Sequence, residues 1–344
     1  MSATFHKLPT GFLVVGDYSH GQLETLSIGD YGKAHNIKAD FLGYTRELNG
    51  VENRPCMPLT EKWVITVSTQ YGCPMKCSFC DVPNLGFHGN ASVEDLLAQV
   101  IAARDCFPEV RYTDRLNLHF ARMGEPVFNP AVFGFSRWLV KSRDRFQELS
   151  GLRVENLHPV LTTSMPRKCR QLGDRLQEWC EIKNDLYTGA AGLQLSINST
   201  SDAQREEMFR GLSTPLAEIA GICSRLPAPI GRKYCLNFAL ADGYEVNAKL
   251  LHRLFNPNHW MVKITPIHNN GACHDNGIAT YGGYQSFRPY QAAEADLKRA
   301  GFDVIVFIPS QDEEDGIVTC GNAILAGSRL APNLAKQRIE GITR

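Results

Sequence analysis

From residue 63 onward, short β-rich runs alternate with helical stretches, and this alternation constrains the fold more than any other feature. The strand candidates are WVITVSTQ (63–70), LNLHFARM (116–123), HPVLTTSM (158–165), AGLQLSIN (191–198), KYCLNFAL (233–240), WMVKITPI (260–267) and FDVIVFIP (302–309). Helical patterns lie between them at 92–106, 131–146, 201–212, 247–255 and 289–301. Ser92, with Asp95 three residues on, reads as the N-cap of the first. Buried, β-branched strands separated by helices imply a parallel sheet with helices outside it. Six or seven such units fit an α/β partial (β/α)6-type barrel better than a single Rossmann sheet. Chemistry in such barrels sits at the C-terminal ends of the strands, and the chemically suggestive residues of this chain do fall just after the strand candidates.

Residues 1–62 break the pattern and read as a small β-rich N-terminal extension packed on the barrel. GFLVVGDYSHGQLETLSIG is a hairpin-like pair of strands around SHG, and 29–58 is a polar, Gly- and Asn-rich insertion. The organisation expected is an extension over 1–62, a barrel with a C-terminal cysteine loop over 63–330 and a tail over 331–344.

Basic and acidic side chains balance at 36 each, so no global charge draws the chain to nucleic acid or membrane. The first residues carry no signal-peptide pattern, and no apolar run approaches the roughly 18–20 residues of a membrane span. Eleven cysteines then read as reduced thiols and metal ligands of a cytoplasmic protein rather than as a disulfide framework.

Three of those cysteines, Cys73, Cys77 and Cys80, stand as C-x3-C-x2-C directly after the first barrel strand. Thiolates suit iron–sulfur clusters or zinc. A structural zinc site wants a fourth Cys or His, and His88 stands alone. A four-iron cluster held by three thiolates keeps one iron open for a chelating ligand.

This motif, with Phe79 before its third cysteine, resembles that of the radical SAM superfamily. The resemblance implies a single 4Fe–4S cluster whose open iron binds S-adenosylmethionine (SAM). It also implies reductive cleavage of SAM to a 5′-deoxyadenosyl radical and a flavodoxin- or ferredoxin-type reductant. RMGEP (122–126) is similar to the superfamily's Gly-Glu motif, which puts Gly124 and Glu125 on the methionine amino group. Further segments resemble the RlmN/Cfr-type methyltransferases, which methylate an adenine carbon of ribosomal RNA. LGFHGN (85–90) matches a GF-x-x-N stretch, and LTTSMP (161–166) carries Ser164 to a SAM contact. LSIN (195–198) carries Ser196 and Asn198, and ITPIHNN (264–270) places His268 and Asn269 near the SAM ribose.

DGIVTCGNA (315–323) puts Cys320 where that family has the cysteine that is methylated and then relays carbon to the base, flanked by Asp315 and Asn322. GQLETLSI (21–28) puts Glu24 at the position of a proton acceptor, although a strand Glu is usually solvated. The family's second, product-releasing cysteine corresponds to Thr66, whose hydroxyl cannot replace a thiol of pKa about 8.5. Cys56, Cys273 or Glu24 would have to substitute, or the adduct resolves differently, or the product is not a methylated adenine. The family's helical RNA-binding domain has no counterpart in residues 1–62.

The resemblance implies methyl transfer to an sp² carbon of a nucleobase or related heteroaromatic. Two alternatives stay open: a non-methylating radical reaction with Cys320 as hydrogen donor or bystander, and a non-catalytic cluster-binding protein. Arg167, Lys168 and Arg170 after the third strand offer phosphate contacts or a solvated helix start, and Arg122 is expected to point into the site. Residues 268–288 read as a lid, with a second metal at His268, Cys273 and His274 as a minor alternative. Cys106, Cys169, Cys180, Cys223 and Cys235 read as core residues.

Overall fold

The computed structural model describes residues 2–8, 10–30, 56–280, 282–284, 287–309, 323–324 and 336–337. The chain opens with three antiparallel strands, β1 (Ala3–Leu8), β2 (Gly11–Tyr18) and β3 (Gly21–Ile28). The hairpin expected around SHG is β2–β3, turning at Ser19–His20. β3 then pairs antiparallel with β4 (Trp63–Val67), matching Leu26 to Thr66. The N-terminal segment is therefore hydrogen-bonded into the barrel sheet, not merely packed upon it.

After β4 come a two-stranded ribbon, β5 (Gln70–Gly72) with β6 (Phe87–Asn90), helix α1 (Val93–Asp105) and strand β7 (Tyr112–Phe120). Helices α2 (Pro130–Lys141) and α3 (Arg143–Ser150) lead to β8 (Arg153–Thr163), and α4 (Leu172–Glu181) leads to β9 (Gly192–Ser196). Next are α5 (Asp202–Met208), α6 (Leu216–Cys223), β10 (Tyr234–Leu240), α7 (Ala248–Leu254) and β11 (Trp260–Pro266). The short α8 (Gly271–Asp275), α9 (Arg288–Arg299), β12 (Val304–Val306) and β13 (Lys336–Gln337, paired with β1) complete the described chain.

Strands β4, β7, β8, β9, β10, β11 and β12 are all parallel and lie side by side in chain order. Six strand–helix steps therefore wind one way, as the sequence alternation predicts for a partial barrel. Each strand separates two environments. Trp63, Ile65, Leu116, Leu118, Leu193, Leu195, Leu236, Phe238, Val262 and Ile264 are buried toward the helices. The alternate residues Val64, Thr66, His119, Gln194, Ser196, Lys263 and Thr265 face the lumen and are only half-buried. The lumen face is thus largely polar, unlike the apolar layers that fill a closed barrel.

α1 starts where Ser92 predicts: Ser92 Oγ accepts the Asp95 amide at 3.0 Å, and Asp95 Oδ2 accepts the Ser92 amide at 2.9 Å. The buried Gln99 of α1 accepts the Ser68 amide (2.8 Å) and Thr25 Oγ1–H (3.0 Å), and donates to the Ser68 carbonyl (2.9 Å). One side chain thereby fixes the end of β4 against the hairpin. The single helix expected over 131–146 is two helices, because the chain turns at Ser142 (φ −124°, ψ 42°), setting Phe146 edge-on to Trp138. Among the described residues no helix is long and apolar enough to cross a membrane.

Candidate active site

The three motif cysteines lie on the loop that leaves β5. Gly72 (φ +74°) makes the turn into it, and a Cβ there would stand 1.7 Å from the Gly86 carbonyl oxygen. That same oxygen accepts the Cys73 amide at 3.0 Å. Further along, the Ser78 amide and hydroxyl both donate to the Met208 carbonyl (2.8 and 3.0 Å), and the Cys80 amide donates to the Cys77 carbonyl (3.2 Å). From the opposite side, the Asn270 amide group donates to the Phe79 carbonyl (3.0 Å) and Asn276 to the Ser78 carbonyl (2.9 Å), while Asp81 Oδ1 accepts the Ala272 amide (2.8 Å).

The segment read as a lid or second metal site therefore contains α8, docked on the back of the cysteine loop. Cys273 is buried there with its Sγ 3.6 Å from the Phe79 carbonyl oxygen. His268 instead meets Tyr284 (Nδ1 to the hydroxyl, 2.8 Å), and His274 is exposed. His88 is also exposed, its ring on the Leu85 carbonyl.

Burial, then the Cys73 sulfur and the Glu125 carboxylate, push the Cys77 thiol well above its ordinary range. Soft donors and negative charge crowded together suit a thiolate-held cationic centre, which reverses that penalty. No group of three or more His, Cys, Asp or Glu side chains closes around one point among the described residues. The fit to an iron–sulfur cluster thus rests on the donor set and its electrostatics. The ten cysteines among the described residues are free thiols, with Cys180, Cys223 and Cys235 buried in the core as expected.

Gly124 and Glu125 follow β7 at the rim. Gly124 has φ +98°, and a Cβ on it would stand 2.6 Å from Gln70 Cβ and 2.8 Å from the Gln70 amide nitrogen. Gln70 Oε1 accepts the Glu125 amide at 2.7 Å, and Gln70 Nε2 donates to Asn90 of the GFHGN stretch at 2.8 Å. Glu125 Oε2 accepts both the amide (2.8 Å) and the hydroxyl (2.6 Å) of Ser164 after β8. Burial raises the Glu125 pKa, and the Ser164 hydrogen bonds oppose that rise. Two residues read separately in the sequence thus form one unit, a buried carboxylate oriented by a hydroxyl.

Glu24 is fully buried rather than solvated. Its Oε2 accepts Arg122 Nε–H (3.0 Å) and Nη2–H (2.9 Å), so Arg122 turns back onto β3 instead of into the site. Glu24 Oε1 accepts the amide of Ala323 at 2.8 Å. Cys320, Asp315 and Asn322 lie outside the described residues.

Ser196 ends β9 and faces the lumen half-buried, whereas Asn198 is buried in a left-handed conformation (φ +62°) with its Oδ1 accepting the Ala239 amide (3.0 Å). Asn269 Oδ1 meets the Thr280 amide at 3.5 Å. Thr66 faces the lumen opposite His119 on β7. Arg167 pairs with Glu206 at the exposed surface (3.2 Å).

Sequence reasoning missed Gln70, Asn129 and Arg205. Asn129 donates to the Thr69 and Ala91 carbonyls (2.7 and 2.8 Å). Arg205 donates to the Ile197 carbonyl, to Ser213 Oγ (2.6 Å) and to the Thr214 carbonyl (3.1 Å). Ser213 in turn donates to the Ser164 carbonyl (2.7 Å). Gln70 is the one with a local signal, standing directly before the Tyr-Gly that precedes Cys73.

The chain is 31% identical over 218 residues to the dual-specificity RNA methyltransferase RlmN of Aliarcobacter butzleri, covering 61% of this chain and 54% of that protein. It is 27% identical over 223 residues to RlmN of Anaeromyxobacter dehalogenans, covering 62% and 55%. These relatives are dual-specificity RNA methyltransferases of the RlmN type. A longer match, 25% identity over 282 residues, joins it to RlmN of Pseudomonas fluorescens (78% and 65%). The chain spans about half the length of the first RlmN relatives it matches. A radical SAM methyltransferase structure from Sphaerobacter thermophilus shares the fold, with a TM-score of 0.57, 19% identity, and 86% of this chain and 73% of that one covered. No protein-family model matches the chain.

Proposed function

We propose that the chain is a radical SAM enzyme that transfers a methyl-derived carbon to an sp² carbon of a nucleobase or related heteroaromatic, with Cys320 as covalent relay. The observation that carries this reading is the hydrogen bond from Ala323 to Glu24. It ties the chain three residues past Cys320 to β3, where Arg122 leads directly into Gly124 and Glu125. The RlmN relatives support the reaction class.

Cys73, Cys77 and Cys80 would hold a 4Fe–4S cluster. Cluster and SAM, when bound, supply the radical that starts the reaction. Glu125, oriented by Ser164, receives the SAM ammonium by charge-assisted hydrogen bonding. Ser196, His268 and Asn269 stand on the same rim for the nucleoside portion, with Asn198 holding the end of β10. Glu24, paired with Arg122 and bonded to the Ala323 amide, would take a proton during product release in this reading, since Thr66 cannot. The reductant would be a flavodoxin or ferredoxin, in keeping with a cytoplasmic setting for reduced thiols.

Intact-mass spectrometry of the purified protein tests the relay, and a methyl group or a trapped base on Cys320 is expected. An unmodified Cys320 in protein that releases 5′-deoxyadenosine under dithionite would favour a non-methylating radical reaction instead.

A further inference from the structure

The lower half of the barrel lumen carries a cationic cluster that the SAM-binding rim does not use. Arg232, two residues before β10, lies across Gly192 at the start of β9. A Cβ on Gly192 would stand 2.9 Å from Arg232 Nη1 and 3.2 Å from Val160 Cγ2, so the glycine makes room for the guanidinium. Val160 is the register partner of His119 on one side and of Gly192 on the other, which brings Arg232 to the same level as His119. One rung below, His158 pairs with Asn117, whose Oδ1 accepts Arg115 Nε–H at 2.9 Å. Lys263 projects into the same lumen from β11. Among the described residues, the Arg232 guanidinium has neither a carboxylate within ion-pair distance nor a hydrogen-bond acceptor. In keeping with this, the His119 and His158 pKa values fall to about 3 and about 4, by burial first and then by Arg232 and Arg115.

A second group points to a ligand in the same chamber. Asn237, mid-way along β10 between Ser196 and Lys263, is 8% exposed, and its Oδ1 has no hydrogen-bond partner. A buried amide oxygen without a donor is destabilising, and a bound O–H or N–H group removes that cost.

We propose that the lumen seats a substrate bearing a terminal phosphate. The phosphate sits on Arg232 at the N-terminal end of the strands, and a hydroxyl or amino group donates to Asn237 above it. A guanidinium with free donors matches phosphate oxygens two at a time. An aromatic base on such a phosphate would extend toward the C-terminal rim, where the cysteine loop lies. The substrate class is therefore a nucleotide-like phosphomonoester. The position of its reacting base rests on the methyl-transfer reading, whereas the phosphate seat is independent of it.

Equilibrium binding without turnover separates the two. Calorimetry with the reconstituted chain would compare adenosine 5′-monophosphate, adenosine and the dinucleotide ApA, whose phosphate is an internal diester. The monophosphate is expected to bind at least about tenfold tighter than adenosine or ApA, with inorganic phosphate competing. Arg232→Met should abolish that preference and Arg232→Lys keep part of it, both with wild-type circular dichroism. Asn237→Leu should weaken adenosine and its monophosphate alike. Equal affinity for monophosphate and adenosine, a preference that survives Arg232→Met, or no competition by phosphate on the wild-type chain would overturn the proposal. Tight ApA binding would replace the terminal phosphate by a backbone one and so overturn it as stated. Because no SAM chemistry is involved, an unmodified Cys320 would leave these outcomes unchanged.

Discussion

Glu24 and Arg122 are 98 residues apart in sequence and form a buried ion pair, Oε2 to Nη2 at 2.9 Å, whose other carboxylate oxygen holds the Ala323 amide. The N-terminal hairpin, the Gly-Glu turn and the C-terminal segment thus meet on one carboxylate. Removing one partner of a buried pair strands the other charge and costs about 3–5 kcal/mol. Glu24→Gln and Arg122→Met should each lower the unfolding free energy from urea titration by that order. The double variant should recover part of the loss, since it leaves no lone buried charge. Additive losses in a double-mutant cycle would show that the pair is not coupled.

Gly124→Ala tests the rim. The added methyl meets Gln70 at 2.6–2.8 Å in a backbone region that suits glycine, so the turn must move. Moving it breaks the Gln70–Glu125 hydrogen bond and misaims the carboxylate. SAM affinity measured by equilibrium dialysis should fall at least about tenfold, with stability reduced by about 1–3 kcal/mol. Unchanged SAM affinity would count against the proposed SAM contact at Gly124–Glu125.

The clamp of α8 on the cysteine loop predicts an effect on metal loading without an effect on fold. Asn270 caps α8 through the Cys273 amide (2.8 Å) and holds the Phe79 carbonyl, and Asn276 holds the Ser78 carbonyl. Asn276→Ala should leave circular dichroism unchanged, lower iron content per chain after anaerobic reconstitution, and hasten bleaching of the cluster absorbance in air. Full, air-stable loading of the variant would show that the clamp is dispensable.

Acid should destabilise the barrel through its lumen histidines. An unfolded imidazole takes up its proton near pH 6.5, whereas folded His119 and His158 do so only at about 3 and about 4. Between about pH 4 and 6.5 the unfolded chain binds more protons, so stability rises with pH through that window. The contribution is fully present above pH 6.5 and is lost on acidification toward the folded values. Urea midpoints at pH 7 and pH 5 should differ less in His119→Asn than in the wild-type chain. An identical pH dependence would mean that His119 protonates normally in the fold.

The barrel was legible because its signal is local. Each strand candidate carries its own apolar residues, and Ser92 with Asp95 marks a helix start within four residues. The rim motifs were legible for the same reason, since Cys73, Cys77, Cys80, Gly124 and Glu125 lie within short stretches at strand ends. At Ser142, by contrast, no Gly or Pro announces the break, and the turn there brings Phe146 onto Trp138. β1 escaped notice because ATFHKL gains strand character only by pairing with β2.

Sequence by itself determined the order of the seven parallel strands and the soft-donor loop, because periodicity and thiol chemistry are properties of neighbouring residues. Tertiary structure alone decided what the isolated polar residues do. Glu24 reads as a solvated strand residue until Arg122 and Ala323 arrive from elsewhere in the chain, and Ser164 becomes a partner of Glu125 only when β7 and β8 align. Arg232 and Asn237 come to share one face with His119 and Lys263 only when the parallel strands align. A buried charge or amide is costly until a partner reaches it, and the fold, not local spacing, determines which partner that is.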